Sequence, residues 1–469
     1  MKINIRNLGV IQEAQIQLKP LTVFIGENGT GKTWTAYALA GIFGAFGYSQ
    51  YLKSYLAGQT GFQYPPIEEA IKQVLENGTG KINLAEFVRD YAEIYFNQIA
   101  QSLPQWINGF MATQRVNFEH TKIELELPES SKSKMLNELK ATQKKGEVSI
   151  AVKKNSPLIF LNSLKEKDTD ELYYYLKVKS QKIPQAIVNN ELREFIVSET
   201  FKIIQKALFL NVYIFPTERI TFITFPFSPI QNKDVKRKRT YNENKNDEML
   251  LSTPIRDFLL TMAISHDMLS KRKAQEIKQP DISRFIELAN VLENDILLGN
   301  VSFEERGQQI ELIYSPAENV KLELNVSSSM VKELAPLAIY LRYVAQPGDL
   351  LVIDEPEMNL HPAAQVEITE FLGMLVNAGL NVLITTHSPY IVDHLSNLIQ
   401  AKQTNRLTAL KEHFYLEQET AFISKDDLAV YLFEDNTTKN ILAEDGGVDW
   451  ETFSDISRSL SRIYSKIIA

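Results

Sequence analysis

Apolar and polar positions alternate along "MKINIRNLGVIQEAQIQ", with a break at Asn7-Leu8-Gly9, so the chain opens as strand, turn, strand. Leu21 to Ile25 is then a short, largely apolar run of strand length, followed by a helical pattern. Leu350 to Ile353 forms a similar run. "LNVLITTH" at 380–387 follows it at the distance a helical crossover between parallel strands requires. "NVYIF", from Asn211, reads as one more strand. Between these pieces lies a long segment with helical signals, among them "PPIEEAIKQVLEN", "LAEFVRDYAEIYFNQIAQSL" and "ELREFIVSETFKIIQKALFL". Within it "VNFEHTKIELELPE" and "EVSIAVKKN" have period two and predict a small sheet. No heptad repeat is sustained, which argues against a long coiled coil. Near the carboxyl end "GGVDWETFSDISRSLSRIYSKI" reads as an amphipathic helix.

Composition narrows the classes. A chain of 469 residues that is 44% hydrophobic can bury a large core in two or three structural units. The absence of cysteine excludes a disulfide framework, and the opening segment lacks the apolar run of a signal peptide, so a cytoplasmic protein is expected. No stretch approaches the roughly 20 apolar residues of a membrane span, so no membrane partner is expected. A net charge of -8 argues against a surface coated in positive charge for unselective nucleic-acid binding.

The chemistry is concentrated where strands end. Leu21 to Ile25 runs into Gly26-Glu27-Asn28-Gly29-Thr30-Gly31-Lys32-Thr33, which fits GxxxxGK[ST] between a strand and a helix. Such a loop turns its backbone N–H groups inward around phosphates. Lys32 then reaches the β/γ-phosphates and Thr33 offers a hydroxyl to Mg²⁺, so ATP and Mg²⁺ are the expected ligands. In "LLVIDEPEMNLHP" the strand delivers Asp354 and Glu355. Asp354 is expected to hold Mg²⁺, and Glu355 to polarise the attacking water as general base. His387 stands at the carboxyl end of its strand, where ligands collect in open α/β sheets, and is expected to contact the γ-phosphate. His361 and His394 lack that placement.

"GENGTGKT", "LLVIDEPEMNLHP" and "ITTHSP" together resemble the ABC-type ATPase heads of the RecF, SMC and overcoming-lysogenization-defect (OLD) group, and the E-P-E-x-x-L-H-P and T-H-S-P endings resemble its OLD-like branch. The resemblance implies an α/β fold: an ABC-type P-loop NTPase head with a large inserted lobe and a small C-terminal extension. On this reading residues 1–48 and 206–400 are the head, 49–205 the insertion and 401–469 the extension. It further implies dimers or higher homo-oligomers through the heads, with ATP between them and the signature loop of one subunit on the γ-phosphate held by the other. That signature is "VSSSMVKELAPL", with Ser328 and Ser329 on the expected serines and Met330 where a glycine is usual. The serines also suit a helix cap. Methionine removes the freedom for φ > 0, which suggests slow turnover. Pro216-Thr217-Glu218-Arg219 is similar to P-A-E-R in relatives. Arg219 there is expected either to face phosphate or to form a structural ion pair, with Glu218 as its partner. Gln50 and Gln59 are the candidates for a Q-loop glutamine.

Three further readings concern partners. The run Lys233, Lys236, Arg237, Lys238, Arg239 within 232–248 reads as a basic loop that is either ordinary solvated surface or a site for DNA or another polyanion. "YLFEDNTTKNILAE" echoes the entry to a Toprim nuclease domain with Glu434 as its acid, but the further metal-binding acids are not found after it, so no nuclease is expected. The resemblance implies an effector supplied in trans, in bacterial defence or DNA maintenance. The alternatives are a RecF-like DNA-binding repair ATPase and a nucleotide-gated scaffold with negligible hydrolysis.

Overall fold

The computed structural model describes residues 1–151, 158–178, 185–223, 251–269, 271–272, 280–306, 309–404 and 407–448. They fall into two compact units. One holds Ile5–Ala40, Gly109–Phe118 and the chain from Val212; the other holds Met1–Asn4, Gly41–Asn108 and Glu119–Asn211. The basic run 232–248 and most of the expected closing helix lie outside the described residues.

In the first unit the sheet strands follow the order Ile11–Gln17, Thr437–Asn440, Leu428–Glu434, Leu21–Gly26, Asn381–Thr386, Leu350–Asp354, Val212–Phe215. From Leu428–Glu434 onward each strand runs parallel to the next. Every residue of Leu21–Gly26, Asn381–Thr386 and Leu350–Asp354 is buried, which is the physical reason for their largely apolar sequences. Thr386 pairs with Ile25 and Asp354 with Thr385. This register brings the carboxyl ends of neighbouring strands to one edge, where parallel α/β sheets bind ligands.

The strand Leu428–Glu434, expected in a separate extension, lies inside this sheet between Leu21–Gly26 and Thr437–Asn440. Its apolar run finds full burial only there. Glu434 pairs with Thr437 across a two-residue turn in which Asp435 and Asn436 take φ of 48° and 61°. The stretch that echoed a nuclease entry is therefore a hairpin of the head sheet.

A three-stranded antiparallel sheet, Asn300–Arg306, Gln309–Ala317 and Val320–Glu323, leads into the helix Ser329–Tyr343. Ser328 caps that helix by accepting the Val331 N–H at 3.3 Å. Met330 lies within the helix with its side chain against the core, and it is not among the residues with positive φ. A glycine's left-handed freedom is thus not used at this position.

The second unit combines helices with a four-stranded antiparallel sheet ordered Thr79–Asn83, Glu171–Val178, Leu158–Lys165, Lys144–Ala151. "EVSIA" lies in the strand Lys144–Ala151, as the period predicted. Lys122–Glu126, expected in the same small sheet, is not one of its strands. Buried tyrosines pack this unit's centre, with the hydroxyls of Tyr51 and Tyr64 hydrogen-bonded at 2.9 Å so that neither is left unpaired.

Packing behind the head sheet makes one strong prediction. A β-carbon on Gly373, inside the helix Pro362–Asn377, would sit 2.1 Å from the carbonyl oxygen of Ala421. Gly373→Ala should therefore destabilise the protein by about 1–3 kcal/mol, although Gly→Ala in an open helix gains up to about 1 kcal/mol. Urea unfolding measures it; a variant as stable as the parent would show that helix and segment are not in this contact.

Candidate nucleotide site

The loop between the strand Leu21–Gly26 and the helix Lys32–Phe43 is shaped by two glycines that no other residue can replace. At Gly26, with φ of +146°, a β-carbon would lie 2.3 Å from the Phe433 carbonyl oxygen, and at Gly31, with φ of +95°, it would lie 2.8 Å from the Ile11 side chain. The cleft beside the loop is lined by Asn28, Gly29, Gly31, Lys32 and Thr33, by Glu355 and His387 from the two neighbouring strand ends, and by Val10 and Trp34. Thr30 belongs to the same loop, its hydroxyl bonded to the Glu27 carbonyl at 2.9 Å.

Lys32 is almost fully buried, and its ammonium donates to the carbonyls of Gly26 at 2.9 Å and Glu27 at 2.7 Å. Thr33 donates to Asp354 Oδ1 at 2.9 Å, Thr385 donates to the same oxygen, and Tyr37 donates to Oδ2 at 3.1 Å. Burial pushes the Asp354 carboxyl up, and these hydroxyls pull it back. Glu355 holds φ at 50°, a costly conformation for a residue with a side chain. Its N–H is bonded to the Thr385 carbonyl at 3.0 Å and to Thr385 Oγ1 at 3.2 Å. Its carboxylate lies 3.3 Å from His387 Nε2, and that partner holds the group below the usual glutamate range. At neutral pH Glu355 is therefore charged and able to accept a proton.

The profile of the family described as AAA ATPase domain matches residues 1–392, most of the chain. The chain belongs to this AAA ATPase family. It is an ATPase, in agreement with the nucleotide loop and with the OLD-like head expected from the three motifs. Over 90 residues it is 32% identical to the Old nuclease of Escherichia phage P2, a match covering 19% of this chain and only 15% of that relative. Among solved structures it is similar to an SMC head domain from Thermotoga maritima, at TM-score 0.31 and 11% identity over 94% of this chain and 98% of that one. It is also similar to an Smc head domain with an extended coiled coil bound to the C-terminal domain of ScpA, from Pyrococcus furiosus, at TM-score 0.35 and 11% identity over 99% and 98%. At those scores the structural likenesses carry no weight of their own.

Not every expected residue of the ATPase reaches the cleft. Arg219 does not line it: the guanidinium is buried, donates to the carbonyls of Pro216, Asp354 and Glu355, and is ion-paired with Glu333 at 2.7 Å. The phosphate contact is thereby corrected to the ion pair, and the partner is Glu333 rather than the exposed Glu218. Ser328 and Ser329 are exposed at their helix end and do not line their own chain's cleft. Gln50 and Gln59 belong to the other compact unit. His361 caps a helix and His394 bonds Glu370, so both are structural.

Tyr37, Thr385, Glu357, Glu333, Val10 and Trp34 were not expected. Tyr37 had a legible signal, because it lies one helical turn after Thr33 and shares its face. Glu357 accepts from the Thr386 hydroxyl and the His387 N–H, both at 2.7 Å, and so fixes the histidine's backbone.

Burial lowers the Lys32 pKa to about 8, even though Glu355, Asp354 and Glu357 favour its charged form. A polyphosphate would favour the charged form further. ATP binding above pH 8 should therefore take up a proton, and affinity should fall by up to about tenfold per pH unit there while staying nearly flat below it. Titration calorimetry at pH 9 in buffers of different ionisation enthalpy reads the uptake. Buffer-independent heats and a flat affinity would contradict the buried ammonium.

Proposed function

We propose that this ATPase dimerises around Mg–ATP, hydrolyses it slowly, and transmits the closure of its heads to a partner effector. The single observation that carries the reading is the split between the cleft and the signature serines. The cleft holds Lys32, Thr33, Glu355 and His387, whereas Ser328 and Ser329 stand exposed outside it, at the N-terminus of a helix. Hydroxyls and free N–H groups at such an end suit an anion held by another chain.

Mg²⁺ fits the residues present. Thr33 Oγ1 and Asp354 Oδ1 are hard oxygens 2.9 Å apart, as an ion completed by phosphate oxygens and water requires. Three carboxylates, Glu355, Asp354 and Glu357, also bear on the one ammonium of Lys32, so a polyanion enters this cleft at lower cost with a divalent cation. In hydrolysis Lys32 would hold the β/γ-phosphates, His387 would face the γ-phosphate, and Glu355 would take the proton of the attacking water. The OLD-like motifs and the local similarity to the Old nuclease support a setting in bacterial defence or DNA maintenance, with effector activity in trans.

Glu355→Gln should keep ATP affinity, lose hydrolysis and double in mass with Mg–ATP, while Lys32→Ala should neither bind nor dimerise. Light scattering with and without ATP reads both. A Glu355→Gln variant that stays monomeric with ATP bound would refute dimerisation, and one that turns over normally would refute the base assignment.

A further inference from the structure

We propose that Glu333 is a positioning residue for hydrolysis, coupling the helix that carries Ser328 and Ser329 to the backbone of Glu355 through Arg219. The inference rests on the reading of Glu355 as general base. Its own ground is a chain of buried contacts. Glu333 lies in the second turn of the helix Ser329–Tyr343, with its side chain 0% exposed. One carboxylate oxygen is ion-paired to Arg219 Nε at 2.7 Å, and the other accepts Asn359 Nδ2 at 3.1 Å. The same guanidinium reaches the carbonyls of Asp354 at 2.8 Å and Glu355 at 2.9 Å. The planar fork therefore sees the helix on one side and the strand end on the other.

Stability alone does not account for this arrangement. Removing both charges from water costs several kcal/mol per ion, and apolar residues of similar volume often serve a core as well or better. What the pair provides is direction. Glu355 holds a left-handed conformation at φ 50°, which persists only where surrounding bonds over-determine it. Thr385 fixes its N–H and Arg219 fixes its carbonyl. A shift of the signature helix moves Glu333, Glu333 carries Arg219, and Arg219 changes the constraint on the peptide that aims the catalytic carboxylate. Pro336, one turn beyond Glu333, has no N–H to offer the Lys332 carbonyl, so the helix's first turns are less tightly tied to the rest. Asn359, at φ 60° in the segment after Glu355, reports to the same carboxylate.

The test is kinetic. Glu333→Gln keeps the shape and can still accept from Asn359, but it removes the charge that anchors Arg219. It should lower kcat at least about tenfold while leaving ATP affinity within about twofold, and its loss should not add to that of Glu355→Gln in the double variant. A purely structural role would lower both affinity and rate, and its effects would add. If Glu333→Gln does not fold, Asn359→Gly tests the same node, because glycine accepts the left-handed backbone and only the side-chain link is lost. It should reduce kcat about threefold or more with affinity unchanged. Wild-type kcat in a folded Glu333→Gln or Asn359→Gly variant, with Glu355→Gln inactive, overturns the coupling and leaves the base assignment standing. Wild-type kcat in Glu355→Gln overturns the base assignment instead.

Discussion

A carboxylate buried at the end of a parallel strand must be surrounded by donors, and Asp354 shows what that demand organises. Unpaired, such a charge would cost several kcal/mol. Three hydroxyls come to it instead, from Thr33 and Tyr37 on the helix after the nucleotide loop and from Thr385 on the adjacent strand. Its own carbonyl is taken by Arg219. One buried acid thus ties together the loop helix, the neighbouring strand and the segment at 216–219, and Lys32, Thr33 and His387 face the cleft from the first two of these.

The same edge holds more negative charge than positive, and this decides its chemistry. Lys32 is buried against its own loop carbonyls, and Glu333 is spent on Arg219. Glu355 keeps its charge beside His387, and Glu357 holds the histidine's backbone. Such a site has little reason to accept phosphates without a cation, and every reason to keep a charged base near the cleft. Much of the ordering is local and held by short bonds, whereas Ser328 and Ser329 stand apart and exposed.

What the sequence made legible follows from where patterns are strict. Largely apolar runs revealed the parallel strands, and the residues at and after their ends, Lys32, Thr33, Asp354, Glu355 and His387, converge because parallel strands bring their carboxyl ends together. Contacts set by strand register or by distant helices left no such mark. Thr385 meets Asp354 only through the pairing of their strands, and Glu333 meets Arg219 across a sequence gap that no periodicity bridges. The neighbouring Glu218 looked a natural partner for Arg219, yet Glu218 is exposed while Arg219 is buried, and the acid that reaches the guanidinium inside the core is Glu333. The strand Leu428–Glu434 was hidden for a similar reason, since its place in the sheet depends on a parallel partner hundreds of residues earlier.

The central claim is that a nucleotide bound by one chain is completed by the serines of another. Mixing Lys32→Ala chains, which keep an intact signature, with Ser329→Arg chains, which keep an intact cleft, tests it directly by phosphate release. Each variant alone should be inactive, and the mixture should regain single-site hydrolysis, because a heterodimer sets one whole cleft against one whole signature. A mixture as inactive as its parts, or a Ser329→Arg protein with undiminished turnover, would contradict it.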